Sequence, residues 1–481
     1  MITITRRLAL QLRVVFRRAL GLTRVFGPAL WFATGRDGIH VRARSGGAAV
    51  EYHDPSEKLP TEDMWLPFDF LDDVEARRDD PVELEARPDG HIMAGWRDGN
   101  VPQCVRYDPV KPSDTDRFPE MPKKFTQNPP RLLVALRDAM ETTDPDAVRF
   151  ATNTIQLRGT SGTIAATDGR QVLIQHGFTF PWDDDVLMPR TRVFGSRELF
   201  CDGPVALART GVWVVIRNGP WTVHRTIDTD GRFPEVDHHV PRAGDAAARL
   251  WIAPTNAESL AKSLPRLPGY DEFNGPVTVD LNGTVAIRAR AEMQKEPTEL
   301  TLCDSTCSGE PIRINTSRKY LARAVKLGFE EIHLYTPKVP VMCRDEHRRY
   351  VWALLGPDSA IPPSEGAIRI TSAELQDEKP ANVSISNHKP RRRRPKAMSQ
   401  RKPDQDGRTE AASRTRPAAG DKTGTLDLEA LIEHAEVLRG SLREALSKTS
   451  ELVAALKRHR RQSKLVQSTL ASLKRLQAAD A

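Results

Sequence analysis

The feature that most constrains this chain is its internal repetition. Along 481 residues, an amphipathic helix, alternating strands, a second short helix and further strands recur three times. The opening helices are expected at Arg6–Leu20, Arg131–Glu141 and Asn256–Leu264, starting near 6, 131 and 256, about 125 residues apart. In the first, Leu8, Leu10, Leu12, Val15, Phe16 and Leu20 share one face at helical spacing. Pro129-Pro130 introduces the second and Pro265 stops the third. Second helices are expected at Asp69–Arg77, Arg192–Phe200 and Ser317–Leu327, behind short strands at Met64–Pro67, Val186–Pro189 and Ile312–Asn315. The markers Pro67, Pro189 and Asn315 lie 122 and 126 residues apart. One core does not extend over so long a chain. The repeat therefore predicts an α+β fold of three similar domains at 1–125, 126–242 and 243–360.

Strand signals agree. Val212-Trp-Val-Val-Ile216 is a buried-type run closed by Asn218-Gly219-Pro220, and Val277, Val279 and Leu281 alternate with polar residues before an Asn282-Gly283 turn. After Pro357 the pattern stops. Residues 361–424 are expected to be a disordered basic linker, with Lys389-Pro-Arg-Arg-Arg-Arg-Pro-Lys396 inside it. From Leu428 a heptad pattern predicts a coiled coil or helical hairpin over 425–478.

Charge divides along the same line. The net charge is +7, yet residues 381–481 hold 22 basic and 11 acidic groups, leaving 49 and 53 in residues 1–380. A mildly acidic body that binds DNA must gather its cations on one surface. The five cysteines are scattered and lack a Cys-x-x-Cys pair, which reads as free thiols. No apolar run reaches the ~20 residues of a membrane helix. The first 36 residues carry seven arginines and no acid, open to reading as a transit peptide or as a basic amphipathic helix; the helix is preferred. Gly159-x-x-Gly162 lacks the Lys-Ser/Thr of a phosphate loop, and no carboxylate, His or Cys set has catalytic or zinc spacing. Neither an enzyme nor a cofactor or metal is expected.

Ala166-Thr167-Asp168-Gly169-Arg170, Val186-Leu187-Met188-Pro189-Arg190 and Asp230-Gly231-Arg232-Phe233-Pro234-Glu235-Val236 stand in an order and spacing that resemble the bacterial DNA polymerase III beta subunit, the DNA sliding clamp. Ile314-Asn315, Tyr320-Leu321 and Tyr350-Val351 resemble motifs of that family's last domain. The resemblance implies a head-to-tail homodimeric ring around double-stranded DNA, with helices on its inner wall, in the bacterial cytoplasm at the nucleoid. It implies sequence-independent phosphate contacts from Arg7, Arg13, Arg17, Arg18, Arg131, Arg137, Arg190, Arg192, Arg197, Arg318, Lys319, Arg323 and Lys326, with Arg391, Arg392, Arg393 and Arg394 adding a tail contact. It further implies a cleft for peptides of polymerase and clamp-loader-type clients, formed by Phe150, Thr167, Gly169, Arg170, Val172, Pro241, Val351, Ala353 and Leu355. Two departures stand out: Gln171 replaces a basic or His residue, and Ala353-Leu354-Leu355 replaces Met-Pro-Met. Two other readings remain: a clamp-fold adaptor without ring closure, and a nucleic-acid-binding protein driven by its basic tail.

Overall fold

The computed structural model describes residues 1–377 apart from 23–26, 56–57, 109, 111–116 and 148–149. The expectations for the basic run 389–396, Arg391–Arg394 included, and for the heptads after Leu428 fall outside the described residues.

The same element order runs three times. In the first round a strand (Ile2–Thr5) leads into helix α1 (Arg6–Ala19); strands 30–35, 38–45, 48–54 and 62–66 precede helix α2 (Phe70–Val74), and strands 81–86, 92–98 and 101–107 follow it. The second has strand 126–128, helix α3 (Arg131–Thr142), strands 154–158, 163–167, 171–175 and 185–189, then strands 205–210, 213–218 and 221–226. The third has strand 248–251, helix α4 (Pro254–Ser263), strands 276–281, 285–289, 298–301 and 312–317 with an extra strand 306–309, helix α5 (Arg318–Lys326), then strands 331–334, 341–344 and 348–352.

Local chemistry accounts for the helix ends. Thr5 caps α1 by accepting the Leu8 N–H at 3.0 Å, satisfying one of the donors a helix start leaves over. Leu12, Val15 and Phe16 are 0% exposed on the inner face, as the apolar spacing requires. One helix is corrected: Arg192–Phe200 forms two 3-10 turns, Val193–Gly195 and Arg197–Leu199. Gly195 costs helix propensity, and Ser196 is extended (φ −85°, ψ 125°), so no α-helix continues through it.

Sheets cross from round to round. Strands 62–66, 30–35, 38–45 and 48–54 continue into 221–226, 213–218, 205–210 and 126–128 as one eight-stranded sheet. The joint is the antiparallel pairing of 48–54 with 221–226, from Tyr52 opposite Trp221 to Ala48 opposite Arg225. A nine-stranded sheet repeats the rule, joining 171–175 to 348–352, with Val172 opposite Val351. The first round's outer strands form a four-stranded sheet ending at 101–107.

A second correction lies within residues 361–377, the start of the expected disordered linker 361–424. Strand 368–371 pairs in parallel with 298–301, and helix α6 (Ser372–Asp377) follows.

Candidate functional site

The expected phosphate-binding cations sort by burial and partner. Arg318 is a correction. It is 6% exposed and spends its guanidinium on backbone carbonyls of Gly275 (3.1 Å), Leu264 (3.4 Å), Leu267, Pro268 (2.6 Å) and Pro276 (3.3 Å). It locks the 264–276 loop rather than facing a ligand. Arg323 reaches from α5 to α3, donating to Glu141 Oε2 (3.0 Å), Asp138 O (2.7 Å) and Thr142 Oγ1 (3.0 Å), and so ties two rounds together. Arg13 is held by Glu75 (Nη2–Oε1, 2.7 Å) and Asp72 (3.1 Å), and Arg17 lies 3.8 Å from Asp72. Arg7 is exposed but paired with Asp79 at 2.9 Å. Arg131 lines a cavity of about 380 Å³ with His176, Asp345 and Arg348, and lies over Phe178 at 5.4 Å.

Four of the remaining cations converge. Arg18, Arg137, Arg190 and Arg192 line one cleft of about 390 Å³ where α1, α3 and the 192–195 turn meet, together with Met140, Thr191, Phe194 and one carboxylate, Glu141, which is itself paired with Arg323. Arg137 is neutralised by Asp138 at 2.9 Å, and Arg18 donates to Gly195 O (3.0 Å) and Ser196 Oγ (3.2 Å). Among the described residues, Arg190 and Arg192 have no ion pair, nor does Arg197 on the next turn. Lys319 and Lys326 are exposed on α5. A concave, cation-lined surface of this kind suits a phosphodiester backbone and reads no base. The shared cleft was not visible in the sequence, because Arg18 and Arg190 lie far apart in the chain and meet only where α1 packs on residues 191–196, the Thr191 hydroxyl donating to Arg18 O at 3.3 Å.

The second expected site is partly assembled. Val172 and Val351 meet across the joint, but at 8% and 3% exposed they lie in an apolar cluster against which Phe233 and Val240 also pack. Thr167 is 2% exposed, its hydroxyl donating to Gln171 O at 2.7 Å. Neither buried valine nor that threonine presents a lining surface. Gly169, Arg170 and Ala353 are exposed together: the Ala353 N–H donates to Arg170 O at 2.9 Å. Leu355 is half-buried, its N–H on Asn315 O at 2.9 Å, and Pro241 is likewise half-buried. Phe150 is exposed on a separate loop, whose Ala151 N–H donates to Arg232 O at 3.0 Å. Sequence reasoning missed the third-round loop beside Arg170. Arg170 donates to Asn274 Oδ1 (2.8 Å) and lies 5.9 Å from the ring of Phe273, which is 67% exposed.

The Asp168-Gly169 motif has a structural cause. Asp168 Oδ1 accepts the N–H groups of Arg170 and Gln171, both at 2.9 Å, and Gly169 turns at φ +84°. Gln171, the departure, donates to Asp168 Oδ2 (2.9 Å) and accepts the Tyr350 hydroxyl at 2.6 Å, across the joint between rounds.

Asp37, His40 and His53 bring three potential metal-ligand atoms within 4.8 Å of one another. Both His40 nitrogens are already on carboxylates, Glu51 at 3.0 Å and Asp37 at 2.9 Å, and these bonds raise its pKa. Binding an ion there through Nε2 requires His40 to give up its bond to Asp37.

Searches of family profiles and of curated proteins return no match. Solved structures do match. The fold is of the DNA-clamp type: an α+β chain with few helices, built of mainly antiparallel sheets that cross from one round to the next. The particular structures are DNA polymerase III beta subunits. The beta chain from Streptococcus pneumoniae is 16% identical, covering 74% of this chain and 99% of its own at a TM-score of 0.59. The Bacillus subtilis sliding clamp is 15% identical, covering 74% and 98% at 0.58. The Streptococcus pyogenes beta subunit is 14% identical, covering 73% and 99% at 0.60. At such identities the likeness establishes the fold.

Proposed function

We propose that this chain is a divergent DNA sliding clamp of the DNA polymerase III beta type, non-catalytic, and that two copies close head to tail around duplex DNA. The observation that carries the reading is the match over nearly the whole length of those clamps. The arginine cleft supports it, because it collects cations of a mildly acidic body at one place. Arg18, Arg190, Arg192, Arg197, Lys319 and Lys326 make the phosphate contacts; Arg318 and Arg323 hold the wall that presents them. The exposed group Gly169, Arg170, Ala353 and Phe273 receives peptides of polymerase and other clients. The place of action is DNA in the bacterial cytoplasm.

The test is a double charge reversal, Arg190→Glu with Arg192→Glu. Surface changes of this kind alter stability by only ~0.5 kcal/mol. DNA affinity at low salt is expected to fall by about tenfold, and the slope of log affinity against log salt to shrink by about two, since each phosphate contact contributes ~0.9. Unchanged affinity and slope would remove the cleft from the DNA surface.

A further inference from the structure

At both joints inside the chain one rule holds. The third strand of one round pairs antiparallel with the last strand of the next: 48–54 with 221–226, then 171–175 with 348–352. The rule leaves two strands over, 298–301 in the last round and 101–107 in the first. Among the described residues strand 101–107 is an open edge, with Val101, Pro102, Cys104 and Arg106 exposed. Its counterpart is not open. Residues 368–371 of the same chain run along 298–301, with Thr298 opposite Ile368, Glu299 opposite Arg369, Leu300 opposite Ile370 and Thr301 opposite Thr371.

We propose that residues 361–377 are an intramolecular strap seated on the edge that strand 101–107 of a second copy takes when the ring closes, so that closure requires the strap to leave. This rests on the clamp reading above.

The strap is built into the last round. Ser372 is 0% exposed, and its hydroxyl accepts the Cys303 N–H (2.9 Å) and the Asn256 side-chain amide (3.0 Å). Ile361 N–H donates to Thr278 Oγ1 at 2.8 Å, and Ser364 to Glu296 at 2.7 Å. Across the sheet, charges alternate: Arg313 on Asp280 (3.1 Å), Asp280 on Arg288 (2.5 Å), Arg288 on Glu299 (2.6 Å), and Arg369 of the strap on Glu299 (3.3 Å). An unpaired sheet edge invites indiscriminate pairing, and a covering segment guards it. The cover is nonetheless exchangeable. The strap pairs in parallel, whereas 101–107 can pair antiparallel as at both internal joints, which is slightly the more stable per residue.

The experiment uses the full chain with Ile370→Pro, which removes a strand amide of the strap, and separately Arg369→Glu, which sets like charge beside Glu299. Sedimentation velocity at low micromolar concentration gives the mass, and amide hydrogen exchange reports on 298–301 and 101–107. The wild-type chain is expected to sediment as a 53.7 kDa monomer. Ile370→Pro, and more weakly Arg369→Glu, should tighten dimerisation by about tenfold or more and protect 101–107 from exchange. A wild-type dimer that already protects 101–107, unchanged by either substitution, overturns the strap and leaves the clamp reading standing. Deprotection of 298–301 without dimer or protection at 101–107 overturns the strap together with the closure it rests on.

Discussion

Arg318 and Lys319 are neighbours on α5, yet Arg318 is 6% exposed among carbonyls while Lys319 stands in solvent. Composition marks both as basic residues of a helix start; only the path of the 264–276 loop separates them. Removing Arg318 leaves several carbonyls without donors, and hydrogen bonds to charged groups contribute ~1.5–3 kcal/mol each. Arg318→Ala should therefore lower stability by at least ~3 kcal/mol in urea denaturation. Lys319→Glu with Lys326→Glu should leave the urea midpoint in place and weaken DNA binding. The opposite assignment of the two effects would reverse their roles. The motif residues Asp168 and Gly169 were legible through the family resemblance, and the turn that Asp168 caps and Gly169 makes at φ +84° is the physical reason for them. The acids that neutralise Arg13 were not legible, because Asp72 and Glu75 meet it only through packing of α2 on α1.

At the scale of elements, period-two and period-3.6 patterns placed five of the six expected helices, and the sixth failed at Gly195-Ser196. Strand 368–371 was legible in principle. Ile368-Arg-Ile-Thr371 alternates, and Thr371 with Glu374 forms a capping box, the Thr371 N–H donating to Glu374 at 2.7 Å. Its partner, about 70 residues earlier, was not. The joint strand 221–226 carries a further consequence. His224 is 0% exposed, both ring nitrogens lack hydrogen-bond partners, and burial pushes its pKa down to about 4. The unfolded chain then binds a proton that the folded chain refuses between about pH 6.5 and 4. Stability is full above pH 6.5 and falls as pH drops through that window, by on the order of 3 kcal/mol at its end. Thermal unfolding from pH 7 to pH 5 should show this loss, and His224→Leu should flatten it. An unaltered slope in the variant would place the acid sensitivity elsewhere.

At the scale of the molecule, the repeat of about 125 residues announced the architecture, while the sharing of sheets between successive rounds did not appear in it. That sharing gives the chain two ends of matching kind, 101–107 and 298–301, and turns a row of rounds into something that can close with a copy of itself. Closure is the central claim. Its most direct test is topological: the full chain and its Ile370→Pro variant are assembled on a nicked circular plasmid, raised to a salt concentration that breaks simple phosphate contacts, and the plasmid is then cut once. A ring predicts retention on the circle, greater for the variant, and loss on cutting as the protein slides off the ends. Equal retention on circular and linear DNA would contradict it and leave an open clamp fold acting as an adaptor.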